Sequence, residues 1–339
     1  MRVAVLGLGF MGSTHVRALQ SLAGAQLAAV FSQDPAKLAG DLTSIRGNLG
    51  GVGQHFDFSH VAKYSDIDLL LADATLDAVA LCLPTHLHAP VAIAALRAGK
   101  HVLVEKPLAL DAHEAAAMIE EATRQRRILM SAQVLRFFPE YQALRALVHS
   151  GGLGSIRNSV FRRRCAAPAW SGWLAKPELS GGGVFDLLIH DVDMCLHLFG
   201  QPLSATASGY EDLSRGVDQV TALLQYPSMT VTIMGGWHNQ SAYPFSMGYT
   251  VSGDAGTVEF DSAGSPPTRY AAGQEAQLLP LGSHDPYAAE IEYFMECCRT
   301  GEPPVLCPPE ESAAAVSLMH RIMETRRETR KKNGERLSC

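Results

Sequence analysis

The first third of the chain alternates short, nearly continuous apolar runs with stretches of helical period. Val3–Leu6, Leu27–Phe31, Ala78–Leu83 and His101–Val104 read as strands covered on both faces, as a parallel sheet requires. Helical patterns fill the gaps. One runs from Pro90 to Arg97 and stops at Gly99-Lys100, and Asp111 with Glu114 three residues on makes a capping box that opens a helix toward Arg124. Strand and helix in alternation predict βαβ units. After about residue 130 the period becomes two. Val220, Ala222, Leu224 and Tyr226, then Met229, Val231 and Ile233, are apolar, while Thr221, Gln225, Thr230 and Thr232 lie on the other face. That is an antiparallel sheet with one wetter side. The expected division is therefore residues 1–131 and 132–339. Two helices close the chain, from Asp285-Pro286 to Gly301 and from Pro309 to about Lys332, each with Pro in the first turn and Gly beyond the end. The glycine-rich stretch 47–53 has no period and reads as a flexible loop of open role.

Composition narrows the partners more than the fold. With 339 residues, 47% hydrophobic and 18% charged, the chain suits two globular domains at roughly 150 residues each. Lys and Arg total 28 against 34 Asp and Glu, a net charge of -6, so no basic surplus draws a nucleic acid. The run Arg326 to Lys332 is interrupted by Glu328 and reads as a solvated helix end. The cysteines number 7, odd and without C-x-x-C spacing, which speaks against a disulfide framework and for a reducing compartment. No stretch nears the roughly 18 apolar residues of a membrane span. Only four apolar residues follow Met1-Arg2, too few for a signal peptide. A cytoplasmic protein with no membrane partner is expected.

The strand at Val3 runs into Gly7-Leu8-Gly9-Phe10-Met11-Gly12, a G-x-G-x-x-G turn that opens a helix near Ser13. Glycines there permit a tight turn and close approach of a pyrophosphate to helix N-terminal N–H groups. Dinucleotide contacts are expected from Gly7, Gly9, Phe10, Met11 and Gly12. Such a fingerprint carries an acid about 20 residues on, at the ribose. Here that place holds Ser32, with Gln33 and Asp34 after it. Ser32 could bond a 2′-phosphate, helped by Lys37; Asp34 could reach free ribose hydroxyls, or Asp34-Pro35 could simply start a helix. NAD and NADP both stay open.

Two further clusters carry chemistry. Glu105-Lys106-Pro107 follows a strand and puts a lysine at the carboxyl edge of the sheet, where ligands of open α/β folds bind. Beyond Gly181-Gly182-Gly183, Asp186, His190 and Asp193 stand at i, i+4 and i+7, with His197 one turn further, so all share one helix face. Flanked by Phe185, Leu188, Ile189, Val192 and Leu196, that stripe lines a cleft. A nicotinamide dinucleotide that takes hydride from an alcohol needs a base beside it for the hydroxyl proton, and an imidazole suits both directions. His190 is the expected base, Asp186 its orienting or proton-sharing partner, and Lys106 the stabiliser of the developing alkoxide. The stripe could also hold a metal, but Lys106 would crowd a cation, and no metal is expected. His86 and His88 could be ligands too; after Pro84-Thr85 they are expected to cap the next helix and border the nicotinamide. Arg162-Arg163-Arg164 reads as a solvated strand edge or subunit contact. Trp173 and Trp237 could wall a sugar pocket or equally pack in a core, and Cys297-Cys298 is assigned no chemistry.

Taken together, the sequence resembles the Gfo/Idh/MocA family. The likeness rests on the glycine turn, Pro84-Thr85-x-x-His88, Glu105-Lys106-Pro107, Arg136-Phe137 and the G-G-G-x-x-D-x-x-x-H block, and covers nearly the whole chain. The ending His190-Asp191-x-Asp193 is similar to inositol dehydrogenases and anhydrofructose reductases. The resemblance implies an N-terminal Rossmann domain with a doubly wound parallel sheet, then an α/β domain with a large, mostly antiparallel sheet. It implies Lys106, Asp186 and His190 as the catalytic group and Asp193 at substrate hydroxyls. Cofactor contacts extend to Pro84, Thr85, His88, Glu105 and Lys106, and substrate contacts to Lys106, His190, Trp173 and Trp237. A sugar or polyol substrate and a homo-oligomer, dimer or tetramer, follow from the same likeness. Two other functions use the same residues: a glycosidase that oxidises transiently with bound NAD, and a non-catalytic sugar sensor. A pure sensor has no need of the lysine, aspartate and histidine.

Overall fold

The computed structural model describes residues 1–47, 53–169, 171–238 and 240–337. Most of the glycine-rich stretch 47–53 therefore lies outside the described residues. The chain divides into two compact units, residues 1–137 with 284–313 and residues 138–283 with 314–339.

The first unit holds β1 (Arg2–Leu6), α1 (Phe10–Ser21), β2 (Gln26–Phe31), α2 (Pro35–Leu38), β3 (Ala62–Tyr64) and α3 (Ile67–Leu71). β4 (Ala78–Leu81), α4 (His88–Arg97), β5 (His101–Glu105), α5 (Ala112–Gln125) and β6 (Leu129–Ala132) follow. Its sheet has the order β3-β2-β1-β4-β5-β6 and every pair is parallel. Strand order reverses between β1 and β4, so the ligand crevice of such a fold opens at their carboxyl ends. Burial on both faces explains the apolar runs: all of β4 and all but the first residue of β1, β2 and β5 are buried. The capping box forms with a shift. The Asp111 carboxylate accepts the Glu114 N–H at 2.9 Å, while Glu114 reaches back to the N–H of Leu110 at 3.1 Å rather than to the capping residue itself.

The second unit contains α6 (Pro139–His149), β7 (Ile156–Ala166), α7 (Pro177–Ser180), α8 (Gly183–Phe199), β8 (Ser204–Asp212), β9 (Val217–Gln225) and β10 (Thr230–His238). β11 (Ser246–Gly253), β12 (Gly256–Asp261), β13 (Ser265–Tyr270) and β14 (Gln277–Leu278) complete its sheet, ordered β14-β13-β12-β11-β7-β10-β9-β8. Only the β7–β10 pair is parallel. The period-two reading of β9 and β10 matches their alternating burial, and α8 packs on β7, β9 and β10.

Two helices end the chain, α9 (Pro286–Thr300) and α10 (Pro309–Leu337). α9 belongs to the first unit, where Ile291, Phe294 and Met295 join the core built on Val3, Val5 and Val16. Buried Arg136 pins the same segment by bonding the Leu306 carbonyl at 2.8 Å and the Glu311 carboxylate at 2.7 Å. Among the described residues no helix is long and apolar enough to cross a membrane.

Candidate active site

The glycine turn is built as dinucleotide binding needs. Gly7 has φ +97°, and a Cβ there would lie 2.5 Å from the Cys82 carbonyl oxygen. A Cβ on Gly12 would lie 1.8 Å from the Gly7 oxygen, so the helix can start only where this residue has no side chain. Gly9 differs: a Cβ there would meet nothing within 4 Å. That open space fronts the N-terminus of α1, which has Gly9 as its N-cap, no side-chain cap and no acid in its first turn. Uncapped N–H groups and the positive end of the helix dipole thus face room for a pyrophosphate. The residues present fit the group. Phe10 and Met11, half-buried, stand at this mouth.

At the end of β2, Ser32 is 8% exposed, and its Oγ accepts the Asp34 N–H at 3.1 Å. Asp34 caps α2 by accepting the Ala36 N–H at 2.9 Å, the helix-start role that the sequence left open for it. After β4, Pro84 precedes a single 3₁₀ turn, Thr85–Leu87, and Thr85 is buried. His88, also buried, holds its Nδ1 2.8 Å from the Pro107 carbonyl oxygen and its Nε2 2.9 Å from that of Leu83. Burial lowers the pKa of His88, against the two carbonyls, which raise it. Lys106 is half-buried at the end of β5, and its peptide bond to Pro107 is cis.

Beneath the turn lies a cluster that no spacing rule signals. His15 Nε2 is 2.8 Å from Glu105 Oε1, and the ligating atoms of His15, Cys82 and Glu105 all lie within 4.8 Å of one another. Burial works against a charge on His15, but Cys82 and Glu105 more than offset it and lift the imidazole well above its ordinary value. Burial pushes the Cys82 thiol up, and His15 beside it pulls it back down. Glu290 of α9 is fully buried, and neither of its carboxyl oxygens has a hydrogen-bond partner among the described residues. Burial, then the nearby Glu105, raises its pKa well above normal.

In the second unit, α8 is almost wholly buried. The positions that leave its core are Asp186, His190, His197 and Phe199; the first three, at i, i+4 and i+11, belong to the stripe read from the sequence. Asp193, between them in spacing, is 1% exposed. The start of α8 is fixed by Asp218, whose Oδ2 accepts the Val184 N–H at 2.8 Å and whose Oδ1 takes Arg326 Nη1 at 2.6 Å. Arg326 also reaches Glu211. The glycine triplet before α8 has local causes: Gly181 and Gly182 have φ of +81° and +93°, and a Cβ on Gly183 would lie 2.3 Å from the Trp237 ring. Trp237 is accordingly 2% exposed, in a core cluster with Cys165 and Leu187. Trp173 is half-buried. Arg163 is a correction: it is no solvated edge residue but is buried, paired with Asp191. Its neighbours Arg162 and Arg164 are half-buried.

A parallel sheet with a glycine turn at its switch point and a second unit carrying an Asp–His helix face define a two-part dinucleotide-dependent oxidoreductase. Residues 1–133 match the description "Oxidoreductase family, NAD-binding Rossmann fold", and residues 141–259 match "GFO/IDH/MocA C-terminal domain". The chain belongs to the Gfo/Idh/MocA oxidoreductase family. It is 28% identical over 317 residues to inositol 2-dehydrogenase of Rhizobium meliloti (strain 1021), covering 89% of each chain. It is 28% identical over 309 residues to scyllo-inositol 2-dehydrogenase (NADP(+)) of Bacillus subtilis (strain 168), covering 87% of each. Aldose-aldose oxidoreductase of Caulobacter crescentus shares the fold at a TM-score of 0.83 and 24% identity, over 97% of this chain and 98% of that one.

Proposed function

We propose that this chain transfers a hydride between a nicotinamide dinucleotide and a secondary hydroxyl or ketone of a sugar, polyol or cyclitol. The observation that carries the reading is the half-exposed Asp186–His190 stripe on an otherwise buried helix, in a chain whose glycine turn fits a dinucleotide. Bound NAD or NADP supplies the hydride acceptor or donor. His190 takes the hydroxyl proton as hydride leaves carbon and returns it in the reverse direction. Asp186, one turn earlier, orients the ring or shares the proton. Lys106 places a cation at the developing alkoxide. Gly7, Gly9, Phe10, Met11, Gly12, Ser32, Pro84 and Thr85 receive the dinucleotide, and Trp173 serves the substrate end; Asp193, 1% exposed, is assigned no substrate contact. Inositol dehydrogenases among the relatives support a polyhydroxylated ring as substrate.

Two coarser properties belong to the same proposal. The described cysteines are all free thiols, which suits the cytoplasm. The outward face of the second unit's sheet carries exposed Tyr210 and Leu223, which suits a homo-oligomer, dimer or tetramer. Light scattering on the purified protein reads that mass directly.

The test is a panel of inositols, aldoses, uronates and keto sugars with NAD and with NADP, followed at the nicotinamide absorbance. Turnover of at least one is expected, and His190→Ala should lower its kcat by about 10²–10⁴-fold with dinucleotide Kd within about 3-fold. Release of free sugar without net reduced dinucleotide would instead mark a glycosidase. Tight dinucleotide binding with no turnover across the panel would mark a sensor.

A further inference from the structure

The buried cluster under the glycine turn is connected to Lys106 by its backbone. Glu105 Oε1 takes His15 Nε2 at 2.8 Å, and Glu105 Oε2 accepts the N–H of Lys106 at 3.2 Å. One residue on, the Pro107 carbonyl oxygen meets His88 Nδ1 at 2.8 Å. The backbone around Lys106 is therefore held on both sides, by an acid tied to α1 and by an imidazole tied through Leu83 to the end of β4. His15 stands one turn after Gly12 on the helix whose N-terminus faces the dinucleotide space. We propose that His15 and His88 are positioning residues, which fix the Lys106 backbone relative to the dinucleotide-binding turn through Glu105 and Pro107. The inference rests on the role given above to Lys106 and deepens it.

Three physical points support it. A lysine side chain has four rotatable bonds, so its ammonium is aimed only if its Cα is fixed. The two residues that do this are buried, Glu105 at 6% and His88 at 1%, behind the surface that a dinucleotide would touch. Read from sequence as cofactor contacts, they are better placed to support Lys106. Finally, a carboxyl buried this deeply needs a partner, and His15 Nε2 faces it at 2.8 Å; the other titratable groups packed round the pair are Cys82 and Glu290, whose pKa values burial raises.

A mutant cycle tests this on the whole chain, with whichever compound of the panel it turns over. His15→Leu is expected to lower kcat by about 10–100-fold, the scale of a misplaced catalytic group, with the Kd of reduced dinucleotide within about 3-fold. His15→Gln, which keeps an N–H donor toward Glu105, should recover most of kcat. In Lys106→Met the effect should vanish, so that His15→Leu/Lys106→Met is no slower than Lys106→Met alone. His88→Asn, which keeps one amide donor, provides a second cycle should His15→Leu not fold. Losses that multiply in the double variants, or His15→Gln as slow as His15→Leu, overturn the positioning role and leave Lys106 catalytic. Lys106→Met at the wild-type rate removes the role of Lys106 itself, and the inference falls with it.

Discussion

Arg163 on β7 and Asp191 on α8 form a buried two-pronged ion pair, Nε to Oδ2 at 2.7 Å and Nη2 to Oδ1 at 3.2 Å. Their side chains are 3% and 0% exposed. Burial pushes the Asp191 carboxyl up and Arg163 pulls it back, so charge and desolvation oppose each other at this point. Removing one partner strands the other charge in the core. Asp191→Ala should therefore cost about 3–5 kcal/mol, read as a loss of denaturation midpoint, whereas Arg163→Met/Asp191→Leu should recover most of it. A double variant no more stable than Asp191→Ala would mean that the pair is not what holds α8 to β7.

Gly9 and Gly12 separate binding from folding. The space at Gly9 is open, while a Cβ on Gly12 collides with the Gly7 oxygen at 1.8 Å. Gly9→Ala should leave Tm within about 2 °C yet weaken dinucleotide binding by about 10-fold or more, because the methyl occupies the pyrophosphate's approach. Gly12→Ala should lower Tm by several degrees with or without ligand. Thermal unfolding and dinucleotide titration on both variants check this; equal effects would remove the distinction.

Glu290 gives a pH signature. Its carboxyl pKa is raised in the folded chain, by burial first and by Glu105 next, above the ordinary 4.5. The folded state then holds a proton that the unfolded state releases above about pH 4.3–4.5, so stability is lost as pH rises through that window toward the folded pKa. Glu290→Gln has no proton to lose. It should match wild type near pH 4 and become the more stable protein as pH climbs to 8, with Tm higher by about 2 °C or more. A Tm difference independent of pH would show that Glu290 does not titrate in this way.

What the sequence made legible follows from range. The parallel sheet and the Asp186–His190 stripe were readable because a local period fixes which residues share a face. Arg163 shared a face with Phe161 and Cys165 by strand parity, which is the signal of its burial, but three arginines in a row read as polar. The His15–Glu105 contact joins residues 90 apart, and Asp218 caps α8 from 34 residues away. No local pattern encodes such meetings. Trp237 had two readings, pocket wall or core, and only the packing against Gly183 supplies the placement.

We propose that cofactor choice turns on Ser32 and Asp34. The Asp34 carboxylate caps α2, and Ser32 Oγ already accepts the Asp34 N–H, so the hydroxyl hydrogen of Ser32 is the donor it has to offer. A donor there suits a 2′-phosphate, and a carboxylate there would repel it and accept ribose hydroxyls instead. Ser32→Asp should thus raise the ratio of kcat/KM for NAD over NADP by about 10-fold or more, the effect of one charge-assisted hydrogen bond gained and one repulsion added. Asp34→Ala should leave that ratio within about 3-fold and cost about 1 kcal/mol at most from the lost cap. If Asp34→Ala instead abolishes use of NAD, Asp34 reaches the ribose and the order of the two residues is reversed.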